Sequence, residues 1–311
     1  MLNSDATIRA AQSSRALSLP DQLDAPSPGR EALLEGFRQR NALLDYLFYD
    51  IGCVTPDEAR RIAPHWAAEG AILLVPQTGA GDLKLCTSVD GFVTAGGKDV
   101  SALAVAGVGS SALGSAAFAR NVADAIGGPV AAVVSGYGLA DLATEALGGF
   151  FWFGALNQLR HSFEQFDELT KPSFIKKPDV ESGYFVRRSR DTQAVLSLLS
   201  DERLSFDLLC GHSKGNLVIS EALYELQQRD PDGTGKLGAE ITIVTVSALI
   251  AMPRPYATVI DVMGGWDWFG GLNSRLDIPV DAKVPMAWHH TNTELAAHLP
   301  VTATLRRLLS H

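Results

Sequence analysis

The chain has 311 residues, 46% of them hydrophobic and 20% charged, and a net charge of −9. That length can bury a large core, and no Lys/Arg cluster exists to neutralise a run of phosphates, so nucleic acid is excluded as an expected partner. The three scattered cysteines, Cys53, Cys86 and Cys210, argue against a disulfide framework and a zinc site. The opening MLNSDATIRAAQSSR lacks a charged stretch followed by an apolar core, which makes the cytoplasm the expected compartment, with specialised export left open.

In chain order, residues 1–30 are rich in Ser, Ala, Asp and Pro and read as an irregular arm. The remainder, 31–311, reads as one domain. Glu31 to Tyr49 place Leu33, Leu34, Phe37, Leu43, Leu44 and Leu47 mostly on one helical face. Thr55-Pro56-Asp57-Glu58 has the composition of a helix start: a capping threonine, proline in the first turn, then acids. The predicted helix runs to about residue 68. Ala71 to Val75 is a short strand, and Leu83 to Cys86 with Gly91 to Thr94 suggests a hairpin about Val89-Asp90.

Val100 to Val108 is predicted as a buried strand opening into Gly109-Ser110-Ser111. A helix over 113–125 and a strand over 130–134 follow. Ser101 to Ala119 carry no charge, but the stretch is built of Gly, Ala and Ser and interrupted by Gly107-Val108-Gly109, so strand–turn–helix accounts for it better than a membrane span. Phe150-Phe151-Trp152-Phe153 fits either a buried helix or an apolar wall over a site. A helical lid or cap is placed at about 138–180, with Phe151 and Trp152 lining the substrate pocket. Asp191 to Leu199 is a helix, Arg229 to Gly238 a turn, and Glu240 to Leu249 and Ala257 to Met263 are strands. Val301 to Leu309 closes the chain as a helix. The alternation predicts an α/β fold, a mostly parallel central sheet with helices on both faces and the apolar helical segment inserted.

Phe206 to Ser220, FDLLCGHSKGNLVIS, stands apart. An apolar run ends at Cys210, Gly211-His212-Ser213-Lys214-Gly215 follows, and Leu217, Val218, Ala222, Leu223 and Leu226 recur at helical spacing. This is strand, tight turn and helix with a serine at the apex, the pattern of a G-x-S-x-G nucleophile elbow. A serine held there needs neighbours without side chains, and the N–H of Lys214 opens the helix where a developing oxyanion is favoured.

A nucleophilic serine needs a base, and the base an orienting acid; in this architecture both come later in the chain. Asp267 lies in the glycine-rich Gly264-Gly265-Trp266-Asp267-Trp268-Phe269-Gly270-Gly271, where two tryptophans could shield it. It is preferred to Asp261, Asp277 and Asp281. His289 and His290 occupy a loop in the right order, with His289 preferred and His290 its alternative; His298 reads as structural and His212 as a packing residue. The second oxyanion donor is expected from the loop after an early strand, as the N–H of Val108, with Ser110 next.

The elbow Gly211-His212-Ser213-Lys214-Gly215, the aspartate in a glycine-rich loop after a late strand and the histidine near the C-terminus resemble the α/β-hydrolase superfamily. Within it, the chain is most similar to bacterial lipase-like hydrolases of the class 3 type. The likeness covers about residues 70–310; GVGSS stands where that family carries an arginine-glycine-threonine oxyanion segment, and residues 1–70 have no counterpart. The resemblance implies an α/β-hydrolase fold and a serine esterase or lipase working through an acyl-enzyme, without metal or cofactor. Its expected substrate is an ester or lipid, with peripheral membrane contact. The alternatives are an acyltransferase or thioesterase on the same triad, and a non-catalytic module that binds a membrane or partner.

Overall fold

A computed structural model of the chain describes residues 4, 6–9, 43–62, 70–107, 110–135, 190–254, 256–275 and 277–310. Val108, Phe151, Trp152, the lid at 138–180 and most of the arm fall outside them.

Eight strands form one sheet: β1 Ile72–Val75, β2 Lys84–Cys86, β3 Ala102–Val105, β4 Val130–Val133, β5 Leu208–His212, β6 Thr242–Val246, β7 Thr258–Gly264 and β8 Ala282–Val284. Their order across the sheet is β2-β1-β4-β3-β5-β6-β7-β8. From β4 to β8 all neighbours are parallel, whereas β1 is antiparallel to both β4 and β2. The predicted mostly parallel α/β sheet is therefore present.

Every residue of β1, β3, β4 and β5 is buried, as expected of strands covered on both faces. Alternate residues serve two separate cores. Ala102 and Ala104 of β3 face one core, with Leu113, Ala116, Ala117 and Phe118 of α3 (Ala112–Ile126) and Leu305 of α8 (Val301–Leu309). Leu103 and Val105 face the other, with Phe92 of α2 (Val89–Ala95), Val195 and Leu198 of α4 (Arg190–Leu199), and Val218, Ile219 and Leu223 of α5 (Lys214–Arg229). The alanines of β3 and α3 explain the uncharged stretch: small residues let a helix sit close on the sheet. Among the described residues no helix is long and apolar enough to cross a membrane.

Several local expectations need correction. The hairpin after Leu83 does not form. Residues 84–86 pair with β1, Leu85 opposite Leu73, and α2 follows because the Ser88 side chain accepts from the Gly91 N–H and caps it. The turn at 229–238 is instead helix α6 (Pro231–Glu240): Asp230 accepts from the Gly233 N–H, and Pro231 occupies the first turn. The strand predicted over 100–108 is confined to β3, and β8, three residues long, has no counterpart among the predicted strands. The start of α1 (Pro56–Ile62) follows its composition: Thr55 Oγ1 accepts from Glu58 N–H while Glu58 Oε2 accepts from Thr55 N–H, a reciprocal capping box. Residues 6–9, within the predicted arm, are helical, and the buried Thr7 hydroxyl donates to the Val54 carbonyl.

Candidate active site

β5 ends at His212, and Ser213 turns the chain into α5 with φ 52° and ψ −119°. A residue with a Cβ adopts that conformation only under strain, and it holds the side chain above the C-terminal edge of the sheet. The elbow glycines serve close approach. A Cβ on Gly215 would collide with the carbonyl oxygens of Val105 and Ala106, and one on Gly211 with Asn216. Asn216 then ties the turn down, its amide donating to the carbonyls of Val246 (3.1 Å) and Ala248 (2.8 Å).

The Ser213 Oγ lies 3.1 Å from His289 Nε2, and His289 Nδ1 lies 2.9 and 3.0 Å from the two Asp267 oxygens. With the Nδ1 proton facing the carboxylate, Nε2 is left to accept the serine hydroxyl. Asp267 follows β7 and caps the short helix α7 (Trp268–Leu272), its Oδ1 accepting from the Gly270 N–H at 2.6 Å. Burial acts to raise the Asp267 pKa. The hydrogen bond and charge of His289, the Gly270 amide and the Ser247 hydroxyl outweigh it and hold the carboxyl below its ordinary value. It therefore stays an acceptor. The tryptophans do not shield it, being 58% (Trp266) and 65% (Trp268) exposed. Phe269 does the packing, its ring 4.7 Å from the His289 ring and edge-on to it.

The remaining candidates sit elsewhere. His290 is buried, and its Nε2–H donates to the Ala296 carbonyl at 3.0 Å. His298 Nδ1 meets the Leu295 carbonyl. Asp261 is a β7 carboxyl bonded to Thr245 on β6, Asp277 pairs with Arg275, and Asp281 accepts from the Asp261 N–H. Lys214 opens α5 beside the serine, and its ammonium lies 3.6 Å from the buried Asp191 of α4. In the loop after β3, three amides are already engaged: Gly107 N–H donates to the Tyr49 hydroxyl, Ser110 N–H to the Gly107 carbonyl and Ser111 N–H to Asp45. The Ser110 amide is thus turned toward its own loop, at 3.4 Å from the Gly107 carbonyl oxygen.

His212 is more than packing. Its ring is buried between Tyr49, Phe118 and His289, with Nδ1 3.1 Å from the Tyr49 hydroxyl and Nε2 2.9 Å from the His289 carbonyl. Burial first, then the neighbouring histidine charge, pushes its pKa down to about 3, so it stays neutral beside His289.

The largest surprise comes from residues 43–50. Residues 43–48 are helical. The Phe48 carbonyl accepts from Thr291 N–H and its hydroxyl, and the Tyr46 carbonyl accepts from the Asn292 amide; both donors lie just past His289. Asp45 accepts from Ser111 N–H (3.1 Å) and the Ser111 hydroxyl (2.5 Å) at the start of α3. One short segment thus touches the loop after His289, the loop after β3 and, through Tyr49, the turn at Ser213. The amphipathic pattern of 31–49 marked a helix but carried no sign of these contacts, all of them to residues more than 50 positions away.

Compared with known proteins, the chain matches no family model, no curated protein and no solved structure.

Proposed function

We propose that the protein is a serine hydrolase of carboxylic esters, of the α/β-hydrolase type, acting through Ser213, His289 and Asp267. The observation that carries this reading is the continuous relay from Ser213 Oγ through the His289 imidazole to Asp267, on a serine strained at the end of a central parallel strand. The chain order Ser, Asp, His and the position of all three at one edge of the sheet support it.

Ser213 Oγ attacks the ester carbonyl carbon and its proton passes to His289 Nε2. Asp267 fixes the tautomer and balances the imidazolium. The oxyanion lies at the start of α5, toward the Lys214 N–H, where the helix terminus favours negative charge. His289 returns the proton to the leaving alkoxide. Water activated by the same nitrogen then opens the acyl-enzyme, and Ser213 regains its proton. A lipidic acyl group, the preferred substrate, is motivated by the apolar, aromatic 101–165 sequence. A thiol leaving group or an alcohol acceptor would use the same relay, so thioesterase and acyltransferase activities are the nearest alternatives.

The test is labelling by a fluorophosphonate together with hydrolysis of short and long p-nitrophenyl esters. Wild-type protein should label at Ser213, and Ser213→Ala should lose labelling and on the order of 10⁴–10⁶ in kcat with unchanged melting temperature. Folded wild-type protein that neither labels nor turns over esters would leave the non-catalytic reading in its place.

A further inference from the structure

We infer that Tyr49 is a positioning residue whose hydroxyl fixes the geometry of the nucleophile and the base together; the inference rests on the hydrolase reading above. Its phenol is buried, packed edge-on against His212 and Phe118. The hydroxyl oxygen lies 2.5 Å from the Gly107 nitrogen and 3.1 Å from His212 Nδ1, and His212 Nε2 lies 2.9 Å from the His289 carbonyl.

These distances fix a single direction of donation. The His289 carbonyl can only accept, so His212 Nε2 carries the proton. His212 is neutral, so its Nδ1 accepts. The Tyr49 O–H must therefore donate to Nδ1, and its oxygen takes the Gly107 N–H. The result is one buried chain: Gly107 N–H to Tyr49, Tyr49 O–H to His212, His212 N–H to the backbone of the base. It joins the loop after β3, the residue before the nucleophile and the loop carrying His289. Gly107 also lies against the nucleophile, since a Cβ on it would sit 3.1 Å from Ser213 Cβ, and its carbonyl accepts from Ser135. Without the phenolic hydroxyl, the Gly107 amide and His212 Nδ1 would both be buried without their partner, and each loop could relax separately.

The experiment measures Tyr49→Phe, His212→Ala and the double variant in the full chain. The readouts are the rate of fluorophosphonate labelling, kcat and KM on p-nitrophenyl butyrate, and melting temperature. Tyr49→Phe keeps the ring and its packing. It should label to the same final stoichiometry as wild type but slower, on the order of 10²-fold, with kcat reduced in proportion and KM nearly unchanged. The double variant should be no slower than the slower single one, because both break the same chain. Tyr49→Phe labelling at the wild-type rate, or incomplete labelling with a normal rate in the folded fraction, would overturn the positioning role and leave the hydrolase reading intact. Failure of folded wild type to label would overturn the hydrolase reading, and this inference with it.

Discussion

Two neighbouring histidines with the same local composition differ because only one ring nitrogen can sit at a given point over the sheet. His289 spends Nδ1 on Asp267 and presents Nε2 to Ser213, whereas His290 spends Nε2 on the Ala296 carbonyl. His289→Ala and Asp267→Asn should therefore lower kcat by about 10⁴-fold. His290→Ala and Asp261→Asn, measured alongside, should change it by less than about tenfold. Equal losses from both histidine variants would mean that the relay is not the reacting unit. Ser213, Asp267 and the neighbouring pair His289-His290 were legible as candidates from order and spacing. The role of the tryptophans was not, since which side chains bury a carboxylate depends on the path of the loop: the chain turns Trp266 and Trp268 outward and Phe269 inward.

The elbow turn works as an element because α5 starts in contact with the backbone of β3. Gly215 is what permits it: any Cβ there meets the carbonyls of Val105, the last residue of β3, and of Ala106 just past it, backbone rather than flexible side chain. Gly215→Ala should push the start of α5 off the sheet and carry Ser213 with it. The expected cost is about 1–3 kcal/mol, the range for overpacking. Fluorophosphonate labelling should fall by on the order of 10²-fold in the protein that remains folded. Urea titration and labelling on the same sample check both, and a variant that is destabilised but labels normally would show that the nucleophile does not depend on this contact. Elements with a local signal, such as the capped α1 and the closing α8, could be read in advance. β8 could not, because a three-residue strand carries no period of its own and exists by pairing with a neighbour; for the same reason the extended segment at β2 was marked but given the wrong partner.

Over the whole molecule, buried titratable groups set how stability varies with pH, and they pull in opposite directions. Desolvation, only partly offset by Ser111 and Gly114, raises the Asp45 pKa from 3.8 to about 7. Between those values the unfolded chain has released a proton that the folded one keeps, so this group lowers stability as pH rises. Asp261, raised to about 6 by burial, acts in the same direction. His212, lowered from 6.5 to about 3, acts in the opposite one: its unfolded form binds a proton that the folded form refuses, so it adds stability as pH rises through that window. Asp267, held below 3.8, contributes stability that is lost only as pH falls beneath that value. Asp45→Asn removes one term. The stability of the variant relative to wild type should rise with pH between about 4 and 7, by up to about 1.4 kcal/mol per pH unit. Urea titrations of both proteins across that range measure it, and a difference independent of pH would show that Asp45 ionises in the fold as it does in the unfolded chain.

The sequence by itself determined the alternation of strands and helices, the elbow and the order of its partners. Those features are written in hydrophobic periodicity, glycine placement and chain direction, all of them local. The tertiary structure alone decided which histidine faces the serine and that residues 43–50 clasp the site. Each of these depends on hydrogen bonds between groups far apart in the chain, such as Tyr49 to Gly107 and Asn292 to Tyr46, and no periodicity within a segment records a partner outside it.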